Sequence, residues 1–129
     1  MMKNQLFISI AAIMGALAVG IGAFGAHGLK AVLETTGRTE TFETAVKYHF
    51  YHALVLLVLA IWMRKEALKP LKLSFYFFVA GIFIFSGSLY VLSLTGITWL
   101  GAITPLGGLA FITGWLSLPF ATTKKSLQA

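Results

Sequence analysis

The sequence has no cysteine, and from Leu73 through Thr123 it has no aspartate, glutamate, lysine or arginine. The first absence excludes disulfides, thiolate metal sites and cysteine nucleophiles. The second leaves a charge-free stretch much longer than the roughly 20 residues that a membrane-spanning helix requires. The HExxH and GxSxG patterns are also missing, which removes the simplest zinc-hydrolase and serine-hydrolase readings. A carboxylate to orient a histidine base beside Ser86 or Ser88 would have to come from Glu34, Glu40 or Glu43, all in one connecting segment. No enzyme is expected.

What fills the chain instead is apolar. Hydrophobic residues make up 58% of it and the mean hydropathy is +0.87, against about 45–50% apolar usage in soluble domains. A soluble core of this size cannot hide so much apolar surface, so the expected class is all-α: a polytopic membrane protein with a four-transmembrane-helix bundle as its single domain, 1–129. The apolar segments run from about 6 to 26, 45 to 63, 73 to 94 and 97 to 121. The last two must be separate helices, because one continuous helix would be ~70 Å long, more than twice a bilayer core. Thr95-Gly96 is the natural break, with glycine as a left-handed helix stop. Lys3, an apolar run and Ala16-Leu17-Ala18 imitate a secretory signal, but the run continues to Ala26, about 31 Å of helix, and reads as an uncleaved anchor.

The basic residues flank the apolar runs. Seven of them (Lys3, Arg64, Lys65, Lys69, Lys72, Lys124 and Lys125) fall on the side shared by both termini, against Lys30, Arg38 and Lys47 on the other. This bias predicts cytoplasmic termini and explains the net charge of +6 without nucleic acid. The first connection is expected to be a solvated segment. Gly37 marks a turn, Thr39 or Thr41 caps the second helix, and Glu43 pairs with Lys47 one turn on. Pro70 begins the third helix.

With that orientation, polar residues gather in the outer leaflet. His27 ends the first helix, and Tyr48, His49 and His52 lie in the first turns of the second. Ser86, Ser88, Tyr90 and Ser93 occupy the outer half of the third, with Trp99 and Thr104 in the outer half of the fourth. Unpaired, such groups cost kilocalories in hydrocarbon, so they should point inward and bond across helices. Small residues at Gly20, Gly22, Gly25, Gly28, Gly87, Gly101, Gly107 and Gly108, with Pro105 as a bend, are expected to let helices pack closely. The run Gly20-Ile21-Gly22-Ala23-Phe24-Gly25 matches GxGxxG only formally, since it lies inside a membrane helix and follows no strand. Trp62, Trp99 and Trp115 read as interfacial anchors.

Two sharper readings of the cluster stay open beside a packing role. His27, His49 and His52 at one depth suit a metal, and histidines also serve proton-coupled transport. No cofactor is expected. The partners expected are the lipid bilayer, and either a homo-oligomer or another membrane protein.

"GAFGAHGL", "FETAVKYHFYHAL", "FSGSLY" and "LGAITPLGGLAFITGW", in that order, resemble the domain of unknown function 423 family of small bacterial inner-membrane proteins, also called UPF0382. The resemblance runs from about Ala12 to Trp115. It implies a four-helix membrane protein and supplies no activity.

Overall fold

The computed structural model describes residues 2–121. The elements are α1 (Met2–Ala26), α2 (Lys30–Thr36), α3 (Thr39–Lys65), α4 (Lys69–Gly81), a π turn (Ile82–Ser86), α5 (Gly87–Thr95), a 3₁₀ turn (Thr98–Ala102), α6 (Thr104–Ser117) and a last 3₁₀ turn (Leu118–Phe120). Four stretches are long and apolar enough to cross a bilayer: Lys3–Ala26, Thr39–Lys65, Lys69–Thr95 and Thr98–Phe120. The chain is a multi-pass helical membrane protein.

The helix ends follow local chemistry. Gly37 and Gly96 take positive φ, at 66° and 73°, and stop α2 and α5 in the left-handed conformation that costs glycine no Cβ clash. Pro70 and Pro105 sit in the first turns of α4 and α6, where a missing amide donor breaks no helical bond. Other local features differ from expectation. The first connection contains a helix, α2, rather than only a solvated loop. Arg38, not a threonine, occupies the position before α3, and no side chain caps that end. The ion pair among the described residues is Lys30–Glu34, at 4.0 Å, rather than Glu43–Lys47. The fourth span is broken: a 3₁₀ turn leads into α6 only at Thr104. Lys124 and Lys125 lie outside the described residues.

The second and third spans form the centre of the bundle. They are 39% and 44% buried over their apolar windows, against 22% and 17% for the first and fourth. The first span packs on α3 and the fourth on the third span. Phe7, Met14, Leu56, Phe75, Phe78 and Phe111 are among the side chains between them. Outward, Leu17, Val58, Phe83, Leu109 and Leu116 are exposed. A contiguous apolar exterior of this kind fits lipid, not water.

The close approaches explain the π turn's surroundings. Gly107 of α6 lies against the Phe85 backbone inside the π turn, where a Cβ would find no room. Gly25 lies against the Phe42 ring and Gly22 against Val46, so α1 seats on α3 there. Gly81 and Gly114, which sequence reasoning did not single out, are filled by Phe111 and Phe78. By contrast, Gly20 and Gly87 have no neighbour within 4 Å, Gly28 meets only Phe24 of its own segment, and Gly101 and Gly108 make ordinary contacts with Leu92 and Phe85.

Candidate functional site

Because α3 starts at Thr39, its histidines lie deeper than the first turns. His52 is the middle residue of α3, thirteen from either end of Thr39–Lys65, or ~20 Å along the axis from its start. A bilayer core is ~30 Å thick, so His52 lies well within the span, with His49 one turn nearer the start of α3.

His52 is buried and fully bonded. Its Nδ1 lies 2.7 Å from the Tyr48 carbonyl one turn back, and Trp115 Nε1–H of α6 donates to its Nε2 at 3.2 Å. An indole can only donate, so Nε2 accepts and the proton is on Nδ1. One nitrogen donating and one accepting is the pattern of neutral imidazole. The ring also stacks on Phe111, with centroids 3.6 Å apart and planes 9° from parallel. Trp115 is thus a partner of the histidine rather than an interfacial anchor. Gly107, Phe111 and Trp115 are spaced by four on α6, so one helix face carries the glycine, the stacked ring and the donor.

His49 is buried as well, but only half satisfied. Its Nδ1 is 2.9 Å from the Tyr90 hydroxyl, while Nε2 has no hydrogen-bond partner. Whichever nitrogen carries the proton, Nε2 is left without a hydrogen-bond partner. Tyr90 in turn floors an apolar groove of about 550 Å³ between α1 and α5.

The hydroxyls join helices. Ser86 donates to the Ala45 carbonyl of α3 at 2.8 Å, Ser88 shares a 2.7 Å bond with Thr104 of α6, and Ser74 donates to the Gly114 carbonyl at 2.7 Å. Ser93 bonds back within α5 to Leu89, and its own carbonyl accepts Thr36 from α2 at 2.8 Å. The sequence pattern does not reveal the roles of Ser74 and Thr36, because their partners are backbone carbonyls far along the chain.

Other expected members stand apart. Tyr48 contributes its carbonyl, while its half-exposed ring packs on Phe85 at 4.7 Å. His27 is exposed in the turn after α1 and does not join His49 and His52. The turn carries it away, because the chain doubles back into α2 there. Among the described residues no three histidine, aspartate or glutamate side chains gather to hold a metal ion. The open reading of His27, His49 and His52 as ligands does not fit that geometry: His49 turns to Tyr90, His52 turns to Trp115, and His27 lies in the exposed turn.

A second hollow opens where α1, α2 and α3 meet. It has a volume of about 410 Å³, with Lys30, Glu34, Glu43 and Lys47 at its rim and Gly25, Phe42 and Val46 among its apolar lining.

Comparisons with known proteins agree with this architecture. A family model described as "Protein of unknown function (DUF423)" matches residues 21–108. The chain is 46% identical over 121 residues to the UPF0382 membrane protein YwdK of Bacillus subtilis, covering 93% of this chain and 98% of that one. It is 43% identical over 120 residues to a UPF0382 membrane protein of Staphylococcus haemolyticus, covering 93% and 97%. A UPF0382 membrane protein of Haemophilus influenzae is 36% identical over 127 residues, covering 98% and 100%. No solved structure matches the chain.

Proposed function

The chain belongs to the DUF423 family of membrane proteins, whose function is unknown, and from its own geometry we propose that it is a lipid-contacting scaffold rather than a catalyst or a conduit. The observation that carries this reading is the fate of the polar groups. Ser74, Ser86, Ser88, Thr104, His52 and Trp115 bond to one another or to backbone carbonyls across helices. Groups already paired in this way hold helices together in hydrocarbon. They offer a substrate no free donor set, and they form no chain of ionisable side chains across the bilayer. Charge is concentrated at the helix ends, where lipid headgroups lie.

The charge bias supports a cytoplasmic side for both termini, and the membrane proposed is a bacterial inner membrane. The hollow between α1, α2 and α3 then opens in the outer leaflet. A reporter active only in the cytoplasm should work when fused to the C-terminus, and activity of a periplasmic reporter there would reverse the assignment.

Lipid retention tests the function. After purification in mild detergent, the intact protein should retain about one phospholipid per chain through gel filtration, and stripping it should lower the thermal midpoint. Complete delipidation without a change in midpoint, or ion flux in proteoliposomes abolished by His49→Ala, would contradict the scaffold reading.

A further inference from the structure

The hollow at the junction of α1, α2 and α3 has a chemistry of its own. Its volume of about 410 Å³ lies within the ~300–1,000 Å³ usual for small-molecule sites. Its rim carries Lys30 and Glu34 from α2 and Glu43 and Lys47 from α3. Its floor is apolar, with Phe42 only 3% exposed, and Gly25 leaves the space in which that ring presses against α1. Charge sits toward the water and apolar surface toward the bilayer, as in a phospholipid.

The signs of the charges narrow the ligand. A purely anionic group would meet Glu34 and Glu43, and a purely cationic one would meet the two lysines. A group with both charges matches the rim. Lys30 and Glu34 are 4.0 Å apart with side chains 70% and 63% exposed, so their mutual pairing is weak and leaves both free to turn to a ligand. Lys47 lies two turns into α3 from Thr39, and a stem leaning toward the helix N-terminus brings its ammonium toward Glu43 and the mouth of the hollow. Carboxylates accept N–H donors, which favours a primary ammonium over a quaternary one.

We propose that this cleft binds the headgroup of a zwitterionic glycerophospholipid, its phosphodiester between Lys30 and Lys47, its primary ammonium at Glu34 and Glu43, and its glycerol over Phe42 and Val46. The assignment rests on the lipid-contacting reading above and names the lipid class and the place. A soluble molecule of the same head chemistry would leave the apolar floor uncovered, so the lipid is the occupant.

Native mass spectrometry of the full chain, titrated with phosphatidylethanolamine, phosphatidylglycerol or phosphatidylcholine of identical acyl chains, tests it. Phosphatidylethanolamine should form the dominant one-to-one adduct, about five- to tenfold above the other two. Lys30→Gln with Lys47→Gln should lower the phosphatidylethanolamine and phosphatidylglycerol adducts by about tenfold. Glu34→Gln with Glu43→Gln should erase the preference over phosphatidylglycerol without weakening the latter. All four side chains are exposed, so the thermal midpoints of the delipidated variants should equal that of the delipidated wild type and show that the variants fold. Displacement by soluble phosphorylethanolamine at equal concentration would overturn the lipid as occupant. An adduct retained by the wild type but indifferent to headgroup and to all four substitutions would overturn the cleft while leaving lipid contact standing. If the wild type retains no lipid at all, both readings fall.

Discussion

Gly107→Ala is expected to force the third and fourth spans apart and to destabilise the bundle by about 3 kcal/mol. A Cβ at this position would lie 2.6 Å from the Phe85 Cβ and 2.7 Å from its Cα. Phe85 belongs to the π turn, and its backbone cannot swing aside as a side-chain tip can. Relief requires α6 to move, which stretches the 2.7 Å bond between Ser88 and Thr104. Gly20→Ala is the matched control, because nothing lies within 4 Å of the new methyl group and alanine favours the helix. Unfolding of the two variants in one detergent should give a much lower midpoint for Gly107→Ala and an unchanged or slightly raised one for Gly20→Ala. Equal midpoints would mean that the two spans are not in contact at Phe85.

The second large effect belongs to His52. His52→Ala removes the ring stacked on Phe111 and strands the Trp115 donor inside the bundle, at a cost of about 3 kcal/mol. His52→Phe keeps a ring against Phe111 and loses only the acceptor, so its cost should be about 1–2 kcal/mol. The order wild type, phenylalanine, alanine separates the hydrogen bond from the packing. His27→Ala, at an exposed turn, should stay within ~0.5 kcal/mol of wild type. A midpoint for His52→Ala as high as that of His27→Ala would contradict the bonded arrangement.

These two residues also show what the sequence discloses and what it hides. Spans are legible because apolar length is a property of consecutive residues: the break at Gly96 and the start at Pro70 both appear in the structure as read. Contacts between spans depend on rotation and depth, which a single chain encodes weakly. The helix start at Thr39 or Thr41 is legible, but the apolar run begins only near Ala45, and counting from that edge makes His52 an early residue when it is the midpoint of α3. Gly107 is recognisable as a packing residue, yet its partner is a backbone distorted by a π turn, and no side-chain pattern in "IFIFSGS" announces that distortion. His27 misled for a related reason. It belongs to a histidine-containing motif near the end of a helix, but the turn into α2 leaves it outside the bundle. Trp115 was hidden by its type, since tryptophan near a span end ordinarily marks an interface. Its spacing of four from Phe111 was the available signal.

The proposed scaffold depends on a polar cluster that holds helices together through fixed hydrogen bonds, with His52 as an acceptor from Trp115. Nitrogen-15 NMR of histidine-labelled protein in lipid, with His52 assigned by its loss in His52→Phe, reads this directly. The expected result is a neutral His52 ring with its proton on Nδ1 and a hydrogen-bonded acceptor at Nε2, the latter changed by Trp115→Phe. A proton on Nε2, or a His52 signal indifferent to Trp115→Phe, would contradict it.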